Sequence, residues 1–220
     1  MKKVLVLFAV LSFFSLCGKS ALAQEEAGHP LSPGEQKDFL LRLEENLSAS
    51  RTIQAKFTQE KKLSLFNDAL VSYGTFCFAA PDRLRWEINQ PFHSLLVLNG
   101  RELGKYDFPD GKKPRRLKFP AADALLEVLH QITDIHQGNF TAQEKYYDMR
   151  VYEGKTASLV LVPKDAKMKG IIQKIEIGFS PALNSVASVA IRENGGDSTV
   201  ILFSDDRLNS RLPDSLFEVQ

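Results

Sequence analysis

Residues 52–58 read TIQAKFT, and polar and apolar side chains alternate along them without interruption. Successive side chains of a β-strand point to opposite faces of its sheet, so this pattern predicts a strand with one buried face. Further runs of this kind, each ended by Gly, Pro, Asn or Asp, predict strands at 70–79, 84–88, 94–98, 102–108, 145–152, 157–163, 171–179, 186–192 and 199–204. Strands that follow one another through short turns predict one large antiparallel sheet.

Two segments have the helical period instead. In the first, Ser32-Pro33-Gly34-Glu35 has the composition of a capping box with proline in the first turn, and apolar residues follow at helical spacing over 39–47. The second, over 120–135, places alanine, leucine and isoleucine at the same spacing after Pro120. Many strands and two helices predict an α+β protein that is mostly β.

The first residues have the composition of an export signal. Met1-Lys2-Lys3 gives a basic start, residues 4–17 are an apolar run, and Ala21-Leu22-Ala23 fits the small-x-small pattern of a cleavage site. A lipid anchor on Cys17 is the alternative. It is less favoured because Leu16 stands where a small residue is expected.

The sequence therefore divides into three predicted parts: a signal peptide over 1–23 that is cleaved after Ala23, a flexible leader over 24–31, and a single domain over 32–220. The 28 basic and 27 acidic residues give a formal net charge of +1, so the chain lacks the basic field that nucleic-acid-binding proteins use. After cleavage Cys77 is the one remaining cysteine, and it cannot form an internal disulfide. We interpret Cys77 as a small apolar strand residue.

Motifs for catalysis or metal binding do not occur in the sequence. The histidines stand at 29, 93, 130 and 136, and none is at metal-ligand spacing from another histidine or from a cysteine. A phosphate-binding glycine loop, a nucleophile elbow and a zinc-peptidase helix motif are all missing. We therefore expect a protein that has no catalytic activity, no metal and no cofactor.

Several predicted strands carry bulky apolar side chains on one face. These are Phe76 and Phe78 in one strand, Leu84, Trp86 and Ile88 in the next, and Leu96 and Leu98 in the third. If the two helices cover this face completely, the side chains form an ordinary core. If the cover is loose, they line an apolar cleft between sheet and helices. The pattern of residues leaves both possibilities open.

Four blocks of this region resemble the periplasmic outer-membrane lipoprotein carrier family, the LolA type. The blocks are QAKFTQ (54–59), GTFCF (74–78), PDRLRWE (81–87) and LVLNG (96–100). In the C-terminal half, LVLVPK at 159–164 and the segment from Asn209 to Phe217 are similar to the layout of the same family. Together the likeness covers most of residues 35–219.

The resemblance implies an incomplete antiparallel β-barrel, or half-barrel, covered by a lid of short helices. Its apolar cavity would receive the acyl chains of a lipoprotein. Such a carrier works in the periplasm, and a shuttle of this kind is expected to be a monomer. It would take cargo from an inner-membrane ABC-type lipoprotein-releasing complex and deliver it to an outer-membrane lipoprotein receptor. Nucleic acid is not an expected partner.

The resemblance also assigns positions. Trp86 matches the tryptophan of the family motif, Leu84 stands at an apolar cavity position, and the helix with Leu125, Leu126 and Leu129 corresponds to the lid. The candidate ligand-binding residues of the cavity are Phe76, Phe78, Leu84, Trp86, Ile88, Leu96, Leu98, Leu125 and Leu129.

One position departs from the family. Well-known members carry an arginine directly before the motif proline, where it holds the lid closed, and this chain has Ala80 before Pro81. Two alternatives to a lipoprotein carrier follow. One is a paralogous half-barrel that binds a different lipid or a glycolipid, and the other is a non-catalytic sensor domain for envelope stress.

Overall fold

The computed structural model describes residues 28–66, 68–109, 113–117 and 122–219. Between 122 and 128 it describes the side chain of Leu126 alone, together with the backbone. The predicted signal peptide over 1–23 lies outside these residues, as does the first half of the predicted leader.

Within the described residues, twelve strands form one antiparallel sheet. They are β1 (His29–Pro30), β2 (Thr52–Lys62), β3 (Leu70–Ala79), β4 (Arg83–Gln90), β5 (Ser94–Asn99), β6 (Glu102–Asp107), β7 (Arg115–Arg116), β8 (Tyr147–Glu153), β9 (Ser158–Pro163), β10 (Ile172–Phe179), β11 (Val186–Glu193) and β12 (Ser198–Leu208). The strands predicted from alternation all recur here, with ends shifted by a few residues.

The sheet consists of two meanders joined side by side. The strand order is β1-β8-β9-β10-β11-β12-β2-β3-β4-β5-β6-β7, so the pairing of β12 with β2 connects the C-terminal meander to the N-terminal one. Within the described residues β1 and β7 remain at opposite ends of the order and do not pair with each other. The sheet is therefore open, which confirms the mostly β, half-barrel prediction.

Two long helices lie on the inner face of the sheet. Helix α1 (Pro33–Ser48) begins with the predicted capping box, in which the Ser32 backbone N–H donates to Glu35 Oε2 over 2.9 Å. Its buried stripe of Phe39, Leu43 and Leu47 packs against strands of the C-terminal meander. Helix α2 (Ala122–His136) connects the two meanders and packs Leu129 against the N-terminal one.

The outer face of the sheet is covered in one region by the C-terminal segment. A short helix α3 (Ala166–Lys169) and a 3₁₀ helix (Asp214–Phe217) are the remaining helices in the described part of the chain. The ring of Phe217 packs against outward-facing residues of β3, β5 and β6, and these residues are Cys77, Ala79, Leu95, Val97 and Tyr106. Because this segment covers the outer face while α2 covers the inner one, β5 is buried on both sides and its sequence loses alternation.

The last residues of the predicted leader over 24–31 pair with β8. His29 pairs with Glu153 and Pro30 with Tyr152, and the Leu31 N–H donates to the Val151 carbonyl over 3.0 Å. Strand pairing uses backbone groups, so a two-residue strand leaves no periodic pattern in the side chains.

Candidate functional site

A cavity of about 150 Å³ lies between the inner face of the sheet and helix α2. Its walls come from both meanders: Leu84, Trp86 and Leu96 from β4 and β5; Leu161 from β9; Ile172, Ile175 and Ile177 from β10; Val186, Val189 and Ile191 from β11; Ile201 and Phe203 from β12. Helix α2 contributes Leu129, Gln131, Ile132, Ile135 and His136, and Tyr147 and Met168 complete the lining. Nearly all of these side chains are apolar.

The cavity exists because the sheet curls. Residues of β5 and β9 line the same space, although seven strand pairings separate the two strands in the order. In a flat sheet with a spacing of about 4.8 Å, they would be about 34 Å apart. The two meanders therefore face each other across the cavity.

The predicted cavity residues occupy three kinds of position. Leu84, Trp86, Leu96 and Leu129 line the cavity. Phe76, Phe78 and Leu98 are buried in the adjoining core cluster, and Ile88 packs against that cluster from a partly exposed position. The side chain of Leu125 lies outside the described part of the structure, and its backbone belongs to α2.

Sequence reasoning missed the wall that the C-terminal meander supplies. Ile175, Ile177, Val189, Ile191 and Ile201 sit at alternate positions of β10, β11 and β12, so the period of two was visible in the sequence. The pairing of β12 with β2 was not predictable from the sequence, and this pairing turns the meander toward β4 and β5.

His136 places an imidazole in this apolar surrounding. The residue is 5% exposed, and its ring centroid lies 4.9 Å from that of Phe76 and 5.7 Å from that of Phe78. Burial lowers the pKa of His136 to about 4, and the hydrogen bond to the Ile132 carbonyl opposes this effect. The ring is therefore neutral at pH 7. Because Nδ1 donates to that carbonyl over 2.9 Å, Nε2 is left as an acceptor.

Three hydrogen bonds hold α2 and the residue after it over the sheet. Gln137 Nε2 donates to the Pro81 carbonyl over 2.7 Å, and His130 Nε2 lies 3.1 Å from the Gly100 carbonyl. The Tyr147 hydroxyl donates to Gln131 Oε1 over 3.0 Å.

Ala80 stands where the resemblance to the family implies an arginine. Ala80 packs against the inner core cluster, while the carbonyl of the next residue, Pro81, accepts the bond from Gln137. The neutral side-chain amide of Gln137, the residue after α2, thus contacts the β3–β4 turn.

Metal clusters and membrane-spanning helices are both absent from the described ranges. These ranges contain no group of three or more His, Cys, Asp or Glu side chains placed to hold a metal ion. Nor does any helix there have both the length and the apolar character that crossing a membrane requires.

Comparisons with known proteins agree with this architecture. An outer-membrane lipoprotein carrier protein of Methylococcus capsulatus is 25% identical over 177 residues, which are 80% of this chain and 81% of the relative. The protein of the same name from Coxiella burnetii is 25% identical over 189 residues and 83% of each chain.

A solved structure shares the fold. In the Pseudomonas aeruginosa MucA/MucB complex, one chain superimposes with a TM-score of 0.51 at 14% identity, over 84% of this chain and 61% of that one. The family model described as outer membrane lipoprotein carrier protein LolA matches residues 48–220. Because that match extends over most of the sequence, from the end of α1 through β12, the chain belongs to the LolA family.

Proposed function

We propose that this protein is a periplasmic carrier that binds the acyl chains of lipoproteins in its inner cavity and moves them from the inner to the outer membrane. The observation that carries the proposal is the cavity itself, which has apolar walls on both meanders and an apolar helix as its cover. Membership of the LolA family and the carrier names of the relatives support it.

An acyl chain needs such a cover to cross an aqueous compartment. Each buried methylene group gains about 0.8 kcal/mol, so a long chain leaves the membrane only if a protein surface replaces the lipid. We assign the cavity-facing residues Leu84, Trp86, Leu96 and Leu129 to acyl contact. Phe76, Phe78, Ile88, Leu98 and Leu125 would join them when the cavity widens.

The size of the cavity requires that widening. A space of about 150 Å³ is comparable to an engineered cavity that admits one benzene molecule. Long acyl chains exceed it, so loading requires α2 to move away from the sheet. Each hydrogen bond of the lid contributes about 0.5–1.5 kcal/mol net, so the few bonds from Gln137, His130 and Gln131 oppose this movement only modestly.

The proposed route sets the partners and the compartment. We propose export with cleavage after Ala23, loading by an inner-membrane ABC-type lipoprotein-releasing complex, and release to an outer-membrane lipoprotein receptor. The protein would act as a monomer, without catalysis and without nucleic acid. The export pattern of residues 1–23 and the family membership support this part of the proposal.

A cavity-filling variant tests the function. Val189 lines the cavity from β11 between Ile177 and Ile201, and it is partly buried. In Val189→Phe the larger ring occupies space that cargo needs. We expect loading with a fluorescent tripalmitoyl-cysteinyl peptide, measured by co-elution after transfer from detergent, to fall at least about tenfold, or 1.4 kcal/mol.

Val162→Phe is the matched control. Val162 neighbours the cavity residue Leu161 in β9 but is 37% exposed on the outer face, so the same substitution leaves the cavity unchanged. If Val189→Phe loads as well as the wild type, the acyl chains do not occupy this cavity. If wild-type protein loads a glycolipid or another lipid in preference to the lipopeptide, the paralogous pathway replaces the carrier proposal.

A further inference from the structure

The inner face of the sheet buries polar atoms that have no partner in the protein. Among the described residues, five buried side-chain nitrogen or oxygen atoms lack a hydrogen bond. Three of them, Gln59 Oε1, Trp86 Nε1 and Thr199 Oγ1, belong to residues of the inner face. An unpaired buried polar group costs about 1–3 kcal/mol, so this concentration calls for a physical reason.

Strand register places Gln59 and Thr199 beside the cavity. Thr199 pairs with Ile191, which pairs with Ile175, and both isoleucines line the cavity. One row further along, Gln59 pairs with the cavity residue Ile201. Residues directly opposite each other in a sheet point to the same face, so the polar side chains continue two apolar rows of the cavity wall.

A buried cation lies in the same patch. Lys61 pairs with Thr199 across β2 and β12 and is 3% exposed, while Gln59 is 2% and Thr199 is 1% exposed. Glu193 lies close enough to Lys61 for their charges to interact. Burial and Asp197 raise the pKa of Glu193, and the Lys61 ammonium opposes them. The inner face thus changes from apolar on β9–β11 to polar at the neighbouring ends of β12 and β2.

We propose that Gln59, Lys61 and Thr199 form a polar subsite for the ester and amide linkages of an acylated cargo whose chains occupy the cavity. The subsite rests on the proposed function, because it takes the polar part of the same ligand.

The chemistry of the three side chains fits that ligand class. The Lys61 ammonium and the Thr199 hydroxyl donate to carbonyl oxygens of esters, and Gln59 Oε1 accepts from an amide N–H. A purely apolar wall would accept any hydrocarbon chain, whereas this subsite selects chains joined to a peptide or glyceryl group.

Thr199→Val tests the subsite, because it removes the hydroxyl and keeps the shape. We expect the affinity for a tripalmitoyl-cysteinyl peptide to fall about fivefold, as for one lost hydrogen bond. The affinity for a pyrene-labelled alkane, which has no polar linkage, stays unchanged. The thermal midpoint of the unloaded protein stays equal or rises, because an unpaired buried hydroxyl has been removed.

A second variant and a matched control complete the experiment. Gln59→Met removes the amide and is expected to show the same selective loss of lipopeptide affinity. Thr58→Val alters the neighbouring threonine, which pairs with Tyr73 away from the cavity, and is expected to bind both ligands as the wild type does.

The outcomes separate the two proposals. Wild-type lipopeptide affinity in both Thr199→Val and Gln59→Met would overturn the subsite while leaving the carrier function in place. Equal loss of alkane and lipopeptide binding would also overturn it, since it would indicate a general packing defect. A wild-type protein that takes up neither ligand would overturn the carrier function and the subsite with it.

Discussion

His136 is a titratable side chain inside an apolar cavity, and the protein tolerates it by keeping it neutral. Its ring packs against Phe76 and Phe78, and its Nδ1 lies 2.9 Å from the carbonyl of Ile132, one turn earlier in α2. Proton uptake would place a charge between the lid helix and the sheet. We therefore expect protonation of His136 to weaken the packing of α2 on the sheet.

The pH dependence of stability follows from this pKa. The folded protein holds the pKa of His136 at about 4, against 6.5 for an unperturbed histidine. Because the unfolded chain binds the proton more readily, the contribution of His136 to the free energy of unfolding is complete above pH 6.5. It declines as the pH falls toward 4. The measurement is the free energy of urea unfolding at pH 7 and at pH 4.5. Between these pH values we expect the wild type to lose about 2–3 kcal/mol more than His136→Phe does.

His29→Gln provides the comparison, because His29 is exposed in β1. It should keep the pH dependence of the wild type. If the stability difference between His136→Phe and the wild type is the same at both pH values, His136 does not titrate in the way described.

Some residues of the cavity were predictable from the sequence and others were not. Trp86 and Leu84 were assigned to the cavity from the family motif, and both line it. His136 gave no signal, because an isolated histidine at the end of an apolar helix has the same pattern whether it faces solvent or a cavity. Its environment depends on Phe76 and Phe203, which are distant in sequence.

At the scale of elements, α2 is the part that would have to move in the proposed loading. Its C-terminal end is tied to the β3–β4 turn by the Gln137 side chain and to the β5–β6 turn by His130. Both turns lie at the same end of the sheet, since β3 and β5 run in the same direction. The lid is therefore fastened most firmly at that end.

Weakening this attachment should open the lid more often. In Gln137→Ala the bond to the Pro81 carbonyl is lost, together with a 3.2 Å contact to the Thr133 carbonyl. With a net loss of about 0.5–1.5 kcal/mol, the opening equilibrium rises about two- to tenfold. Hydrogen–deuterium exchange of the α2 amides should accelerate by that factor, while exchange in β2 and β3 stays unchanged.

An exposed glutamine far from the lid serves as the control. Gln173 lies on β10, and Gln173→Ala should exchange as the wild type does. Unchanged exchange of α2 in Gln137→Ala would mean that this hydrogen bond does not hold the lid.

Long elements were predictable from the sequence and short ones were not. The apolar stripe of α1 and the alternation of β2 each repeat a pattern over several turns or residue pairs, and both elements occur in the structure. Strands β1 and β7 have two residues each, and α3 has four. Elements of that length depend on backbone partners elsewhere in the chain, so their side chains carry too little pattern to predict them.

At the scale of the whole molecule, the curled sheet brings two meanders to one cavity. The N-terminal wall followed from the apolar faces of β4 and β5. The opposite wall depends on β12 pairing with β2, a contact between the ends of the domain that no local pattern encodes. The same pairing places the polar side chains of Gln59, Lys61 and Thr199 beside the apolar walls.

The proposed carrier function concerns the molecule as a whole, and the most direct test identifies what it carries. The measurement is native mass spectrometry of the processed protein recovered from a bacterial envelope, with the bound molecules extracted and identified. We predict one acylated lipoprotein for each carrier, held in a complex that loses its cargo in Val189→Phe and keeps it in Val162→Phe. A protein recovered without lipid, in a stable complex with a non-acylated protein partner, would contradict the account and favour a sensor domain.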